Sequence, residues 1–395
     1  MTQGPAPARP FDDPDLLEQL RRTPQLFERL RELSGPELAR QRQLREEFPA
    51  DLVRGALLLE DLRQRGAGKF QRSDRMWFDR EGLEQATSEA VARYKAQRFA
   101  AAGGPVLDLC CGIGADSLAL AAHADVVAVD QRESACLMTR WNAEVYDVAG
   151  RVATREGDAE SAPREGRAVH IDPDRRPGGR RSLRIEEHSP PLAFLQELTA
   201  HAPGGAIKLS PASNFGGKFS GCEIELVSLD GECKEAIVWF GPLRTETDWR
   251  ATVLPEGATL AGDPWTARAE TSGLRQWLLD PDPAVVRAGL VDVLAERTGI
   301  ARLDAVEEYL TADRPPDSPF VRAFEVLAEL SNNDREIRAW FRAADCGQLE
   351  ILCRRIPVNP EKVRQKLPLE GSQPLALIYA RVQGRARAVV CRRLC

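Results

Sequence analysis

The ten residues LDLCCGIGAD, 107 to 116, constrain the fold of this chain more than any others. Val106-Leu107-Asp108-Leu109 is a short, nearly continuous apolar run of the kind a strand buried on both faces requires. Gly112 and Gly114 stand at its exit, where a residue without a β-carbon lets the backbone turn tightly and come close to a ligand. The residues that follow, through Ala122, read as a helix whose first N–H groups have no partner within it. The same unit then repeats. Val126 to Val129 is a second strand ending at Asp130, residues 133–146 a helix, 151–154 a third strand and Val169-His170-Ile171 a fourth. A helix over 191–200 leads to the strand Ala206 to Leu209, and CEIELVSLDGECKEAIVWFG reads as a hairpin turning at Asp230-Gly231. Strands alternating with helices predict a doubly wound parallel α/β sheet, here closed by an antiparallel hairpin.

The flanks read differently. Leu16, Leu17, Leu20, Leu26, Phe27, Leu30 and Leu33 recur at helical spacing, interrupted at Pro24, and predict a lobe of three or four helices over residues 12–65. A loop follows, then a helix from Ser88 to Phe99. Beyond Thr245 come a linker-like DPWTARAETSG, helices over 283–297 and 304–310, and the proline-rich TADRPPDSP. Residues 320–395 read as strand, helix, strand, helix and paired strands, a small α+β module. The domain boundaries expected are 1–95, 96–245, 246–320 and 321–395.

Hydrophobic residues at 43% and charged residues at 29% suit a soluble globular protein. No apolar run of about eighteen residues could span a bilayer. The start, MTQGPAPARPFDD, lacks the apolar centre of a secretory signal and reads as a short disordered lead. Nine cysteines without a C-x-x-C pair predict free thiols, no zinc and a reducing cytoplasm. The net charge of −6 conceals an uneven distribution: residues 354–393 hold ten Lys and Arg against Glu361 and Glu370. That basic stretch predicts contact with a polyanion, through Arg354, Arg355, Lys362 and Arg364, although a solvated basic surface has the same composition.

Acids cluster where the sheet presents its carboxyl edge. Asp108 precedes the glycine turn, Asp130 ends the second strand with a carboxylate able to accept both ribose hydroxyls, and Asp158 follows the third strand, in reach of an adenine amine. Each acid singly is equally a helix cap or turn residue, but three at successive strand ends are not accounted for that way. With Cys110, Gly112 and Gly114 they form the predicted cofactor site. The dinucleotide pattern G-x-G-x-x-G is incomplete, with Ser117 at its third position. A nicotinamide enzyme would share the turn and Asp130, but not the closing hairpin or the acid after the third strand. Those two features favour S-adenosylmethionine.

At the fourth strand end stands HIDPDRRPGG, residues 170–179. Asp172 is expected to orient a nucleophile or take its proton. Arg175 and Arg176 are expected to hold a phosphate or position Asp174, while Gly178 and Gly179 let the loop close. A strand-end ion pair between Asp174 and an arginine is the plainer alternative. Ser210, with Pro211 and Asn214, extends the same edge as substrate wall or loop cap.

Residues 100–243 resemble the class I methyltransferases, which implies a Rossmann-like sheet and S-adenosylmethionine as cofactor. LDLCCGIGADSLALA with WNAEVYDVAG is similar to the trimethylguanosine synthase branch, and so is the lead-in MWFDREGLEQATSEAVARY. In that branch the lead-in folds over the cofactor, implying that Trp77, Phe78 and Thr87 lie near it. Many amine methyltransferases carry an acid or Asn, Pro-Pro and an aromatic where this chain has Asp172-Pro173-Asp174-Arg175. The resemblance implies that Pro173 presents its backbone to the target amine, and that base stacking comes from elsewhere or the target is not a flipped base. Residues 325–393 resemble the THUMP-like domain found behind bacterial methyltransferases, and LRQWLLDPDPAVVRAGLVDVLAERTG looks like the ferredoxin-like region that accompanies it. THUMP domains bind RNA, so the resemblance implies a methyltransferase of an RNA base in tRNA or rRNA. The alternatives are a methyltransferase of a small molecule or protein, and a cofactor-binding RNA-binding protein without turnover. The oligomeric state is not set by the sequence.

Overall fold

Prolines and caps set out the N-terminal helices. The computed structural model describes residues 11–164, 166–175 and 182–394. The disordered lead expected at the start, Arg176, Gly178 and Gly179 lie mostly or wholly outside them. Helices α1 (Pro14–Arg21) and α2 (Pro24–Glu32) each begin on a proline, whose missing N–H costs nothing in a first turn. Asp13 caps α1 by accepting from the Asp15 N–H at 3.0 Å. With α3 (Glu37–Glu47) and α4 (Ala50–Gly66) they bury Leu17, Leu20, Leu26, Leu30, Leu44, Leu59 and Leu62. The lead-in contains a short helix the periodicity did not predict, α5 (Arg80–Gln85), before α6 (Glu89–Ala102).

The chain forms two compact units, Met1–Cys222 with Val238–Arg244, and Glu223–Ile237 with Thr245–Cys395. In the first lie β1 (Val106–Leu109), α7 (Ala115–Ala121), β2 (Val126–Asp130), α8 (Glu133–Val145), β3 (Val152–Glu156), β4 (Ala168–Ile171), α9 (Leu192–His201) and β5 (Gly205–Leu209). The strands run parallel in the order β3-β2-β1-β4-β5. The order reverses between β1 and β4, so the crevice at their carboxyl ends is the topological switch point, where ligands of such sheets bind. Hydrophobic residues of α1 to α4 share one core with Leu137, Met138 and Trp141 of α8. The helical lobe is therefore not a separate body with its own interior, because its apolar face is completed by a helix of the sheet. The sheet itself is tight: a β-carbon at Gly205 would lie 2.0 Å from the Val169 carbonyl oxygen.

In the second unit β6 (Glu223–Leu229) turns through Asp230-Gly231 into β7 (Glu232–Phe240), which ends in the first unit. Both turn residues have positive φ, 53° and 75°, as the predicted Asp-Gly hairpin requires. Two strands to which the sequence reading gave no element follow: β8 (Trp249–Leu254), parallel to β6, and β9 (Ala258–Ala261), antiparallel to β8.

Next come β10 (Trp277–Pro281), α10 (Pro283–Arg287), α11 (Val291–Thr298), β11 (Ala301–Arg302), β12 (Leu310–Ala312), β13 (Val321–Ser331), α12 (Asp334–Ala343), β14 (Cys346–Cys353), α13 (Pro360–Lys366), β15 (Gln373–Val382) and β16 (Arg385–Arg393). Their sheet has the order β11-β12-β10-β13-β16-β15-β14. β10 pairs with β13 from Trp277↔Glu325 to Pro281↔Val321, so residues 246–320 and 321–395 share a sheet instead of closing on themselves. Alternate residues of β15 serve its two faces: Ala376, Ile378 and Ala380 pack in one core, Leu375, Leu377 and Tyr379 in another with Ile337 and Phe341 of α12.

The helix expected over 283–297 is split at Gly289, whose φ is +73°. The helix expected over 304–310 is a turn running into β12. There Asp304 accepts the Val306 N–H at 3.1 Å, and buried Glu307 accepts the Glu308 and Arg381 N–H groups at 3.0 Å each. Side-chain acceptors for backbone N–H groups replaced the helical pattern. Among the described residues no helix is long and apolar enough to cross a membrane, and no group of three His, Cys, Asp or Glu could hold a metal ion.

Candidate functional site

The turn after β1 is built on three residues of positive φ: Cys110 at 58°, Gly112 at 56° and Gly114 at 86°. At Gly114 a β-carbon would stand 2.8 Å from the Thr139 methyl on α8, so glycine is required sterically as well as conformationally. Thr139 Oγ1 donates to the Gly112 carbonyl at 2.9 Å and fixes the turn from behind. A β-carbon at Gly112 would meet nothing within 4 Å, so that edge of the turn stays open. Its N–H donates to Asp130 Oδ2 at 2.9 Å, and Asp130 Oδ1 accepts the Arg132 N–H at 3.0 Å. Each oxygen keeps accepting capacity for a ribose hydroxyl.

Beneath the turn lies a buried charged network. Asp108 accepts from Ser117 Oγ through one oxygen, and its other oxygen stands 2.7 Å from His170 Nδ1. Ser117 occupies the position of the third dinucleotide glycine, and its hydroxyl gives the departure from that pattern a function. Asp116 pairs with Lys95 at 2.8 Å and accepts from Thr87 Oγ1 at 2.7 Å. Burial pushes the Asp116 carboxyl up, but Lys95, His170 and Lys208 outweigh it and hold the group well below the usual carboxylate range. Burial likewise disfavours a charged His170, and Asp116 and Asp108 outweigh that, raising its value. Burial first, then Asp130 and Asp172, pushes the Cys110 thiol well up, so it is a neutral wall and not a nucleophile.

At the β4 exit, Asp172 Oδ2 accepts from Lys208 Nζ at 2.6 Å, and the same Nζ donates to the Gln85 carbonyl at 3.0 Å. Asp174 is held by its backbone, pairing with Ser189 at 2.7 and 2.9 Å, and the Arg175 carbonyl accepts the Ser182 N–H at 2.8 Å. The lead-in forms the opposite wall. Lys69 Nζ donates to the carbonyls of Leu83, Glu84 and Ala86, and Arg132 binds Asp79, the cap of α5, at 2.8 Å. These elements enclose a cavity of about 540 Å³.

Asp108, Cys110, Gly112, Asp130, Asp172, Asp174 and Thr87, singled out in the sequence, all line that cavity. Gly114 shapes the turn. Other expected residues go elsewhere. Trp77 and Phe78 are packed in the helical core, Trp77 with its ring centroid 4.7 Å from that of Trp141, because apolar burial there outweighs any place beside a ligand. The Asp158 carboxylate caps the turn after β3 by accepting the Glu160 N–H at 2.9 Å, and its neighbours Gly157 and Ala159 line the cavity in its stead. Pro173 is buried off the wall, and Ser210 accepts the Ala212 N–H at 3.4 Å as a loop cap. Asn214 Oδ1 accepts the Ile185 N–H.

The basic residues of the second unit are mostly committed. Arg354 binds buried Asp280 at 2.6 Å and the Pro281 carbonyl at 2.9 Å, Arg355 binds Glu308, and Arg364 binds Glu361 at 2.8 Å. Lys366, Arg387 and Arg392 pair with Asp334, Glu329 and Glu325. Most of these acids lie outside residues 354–393, which is why counting charge along that stretch overstated the basic face. Of the four residues singled out, Lys362 alone has no acidic partner among the described residues. Sequence reasoning missed Lys95, Asp116, His170 and Lys208. Their signal was a charged residue inside an otherwise apolar run, as in AVHI and AIKL.

Among the described residues, six carboxylates on the wall, from Glu81, Asp108, Asp116, Asp130, Asp172 and Asp174, face two basic residues, Arg132 and His170. A dinucleotide would bring its pyrophosphate against these acids, whereas a sulfonium nucleoside brings a positive charge, so the residues fit S-adenosylmethionine. Sheet order, switch-point turn and acidic cavity together define an α/β enzyme that binds a cationic nucleoside. Residues 104–176 match the family model described as RNA cap guanine-N2 methyltransferase, and residues 321–393 match that described as THUMP domain-like. The chain is 34% identical over 353 residues to an uncharacterized S-adenosylmethionine-dependent methyltransferase of Mycobacterium tuberculosis, strains CDC 1551 and H37Rv, covering 84% of this chain and 94% of that protein. The crystal structure of a protein assigned as a methyltransferase from Porphyromonas gingivalis W83 shares the fold, with a TM-score of 0.73 at 20% identity over 96% of this chain and 98% of that one. The chain belongs to the S-adenosylmethionine-dependent methyltransferases, and S-adenosylmethionine is its cofactor.

Proposed function

We propose that this methyltransferase acts on a base of RNA, in tRNA or rRNA, with Asp172 orienting the acceptor nitrogen. The observation that carries the reading is Asp172, which lines the cavity at the β4 exit within the stretch that matches the cap guanine-N2 methyltransferase model and is held by Lys208 of β5. The THUMP-like match supports RNA as the acceptor. The cofactor supplies an electrophilic methyl carbon. Asp130 holds the ribose hydroxyls, the glycine turn lets the backbone approach, and the lead-in wall excludes water. Asp172, fixed by Lys208, accepts a hydrogen bond from the acceptor amine and so aligns its lone pair. Alignment is most of what methyl transfer requires.

Phosphate contacts fall to basic residues that no acid neutralises. Arg335, Arg338 and Arg342 are exposed, carry no acidic partner among the described residues, and recur at helical spacing along one face of α12. The pairing of Arg354, Arg355 and Arg364 with acids favours a second reading, an acceptor that is a small molecule or a protein. Mass spectrometry of nucleosides from total RNA of a strain lacking the gene decides between them. One missing methylated nucleoside, restored by the intact gene, is expected; an unchanged profile would overturn the RNA reading.

A further inference from the structure

One polar atom in the cavity wall is left unused by the transfer step. His170 is 1% exposed, and its Nδ1 is engaged by Asp108, which orients the ring, while Phe99 packs edge-on against it with centroids 6.3 Å apart. The other ring nitrogen, Nε2, is buried, makes no hydrogen bond among the described residues, and stands 3.9 Å from Asp116 Oδ1. Leaving such a nitrogen unsatisfied is unfavourable, so its place on a cavity wall marks a position that a ligand completes.

The strand order indicates which part of the ligand that is. Gly157 and Ala159 beyond β3 and Asp130 at the end of β2 mark the nucleoside end, and Asp172 and Asp174 beyond β4 mark the transfer end. A sulfonium carries three arms. With the adenosyl arm toward β2 and β3 and the methyl toward Asp172, the amino-acid arm is left with the wall formed by Thr87, Asp116 and His170. Lys95, Asp116, His170 and Asp108 alternate in charge there, which suits a zwitterion better than an ion of either sign.

We propose that His170, flanked by Asp116 and Thr87, recognises the zwitterionic amino-acid end of S-adenosylmethionine through Nε2. This rests on the cofactor assignment and is independent of whether the acceptor is RNA. Calorimetry on the full-length protein tests it with two ligands, S-adenosylhomocysteine and 5′-methylthioadenosine, which lacks the amino-acid end. His170→Phe is expected to weaken S-adenosylhomocysteine about tenfold or more while leaving 5′-methylthioadenosine within about threefold. Equal loss for both ligands, or no loss for the first, overturns the proposal. Should the variant fail to fold, the wild-type protein serves, because its four histidines give a simple ring-nitrogen NMR spectrum. S-adenosylhomocysteine should move the resonance of a buried histidine that 5′-methylthioadenosine leaves in place; movement by both or by neither overturns the proposal. A wild-type protein that binds neither compound removes the cofactor assignment itself, a separate failure.

Discussion

His170 on β4 and Asp172 just past its end lie two residues apart, yet their surroundings give them different work. Asp172 is partly open to the cavity and paired with Lys208, so removing it should disturb transfer more than binding. Asp172→Ala is expected to abolish turnover on RNA from the deletion strain while S-adenosylhomocysteine affinity stays within about threefold; retained turnover would remove the role. His170 is enclosed, with its value raised above the ordinary 6.5 despite burial by the two aspartates. The stabilisation from its charged form is therefore full below about pH 6.5 and fades as pH rises through the folded-state value. The stability difference between wild type and His170→Phe, read from urea midpoints, should be largest below about pH 6.5 and shrink as pH rises above it. Asp116 acts in the opposite sense: its depressed value keeps it ionised, and its contribution is lost only as pH falls below the carboxylate range.

Among the elements, α12 separates packing from charge most clearly. Ile337 and Phe341, four residues apart, enter the core, while Arg335, Arg338 and Arg342 remain exposed. Changing the three arginines to glutamine should leave the thermal midpoint nearly unchanged and weaken RNA binding, with a shallower dependence on salt. A filter-binding salt series measures it, and unchanged affinity would remove α12 from the interface. The lead-in makes the complementary case. Its local sequence shows little periodicity, yet Lys69, Asp79 and Thr87 pin it against the cavity through contacts to other elements.

At the scale of the whole molecule, charge counted along the chain differs from charge summed in space. The Arg354 guanidinium is held against Asp280, which is 3% exposed, and lies 5.4 Å over the Tyr309 ring. Arg354→Ala should lower stability by about 3 kcal/mol, because it leaves a buried carboxylate with fewer partners; Arg322, which also binds Asp280, keeps the cost at the low end. Denaturant unfolding reads this directly, and a neutral effect would show that the arginine is free to serve a ligand.

The parallel sheet and its glycine turn were legible in the sequence because their signals are local: apolar runs of strand length and glycines where φ must be positive. Asp108, Asp130 and Asp172 lie on the cavity wall because strand ends in a parallel sheet can face only one crevice. Partnership was decided by tertiary structure alone. Trp77 and Phe78 went to the core, Asp158 became a cap, Arg354 and Arg355 met acids at positions 280 and 308, and the buried set of Lys95, Asp116 and His170 assembled from two helices and a strand. The physical reason is range. Turn geometry and hydrophobic periodicity act over a few residues, whereas the worth of a charge depends on what folding brings within about 4 Å of it.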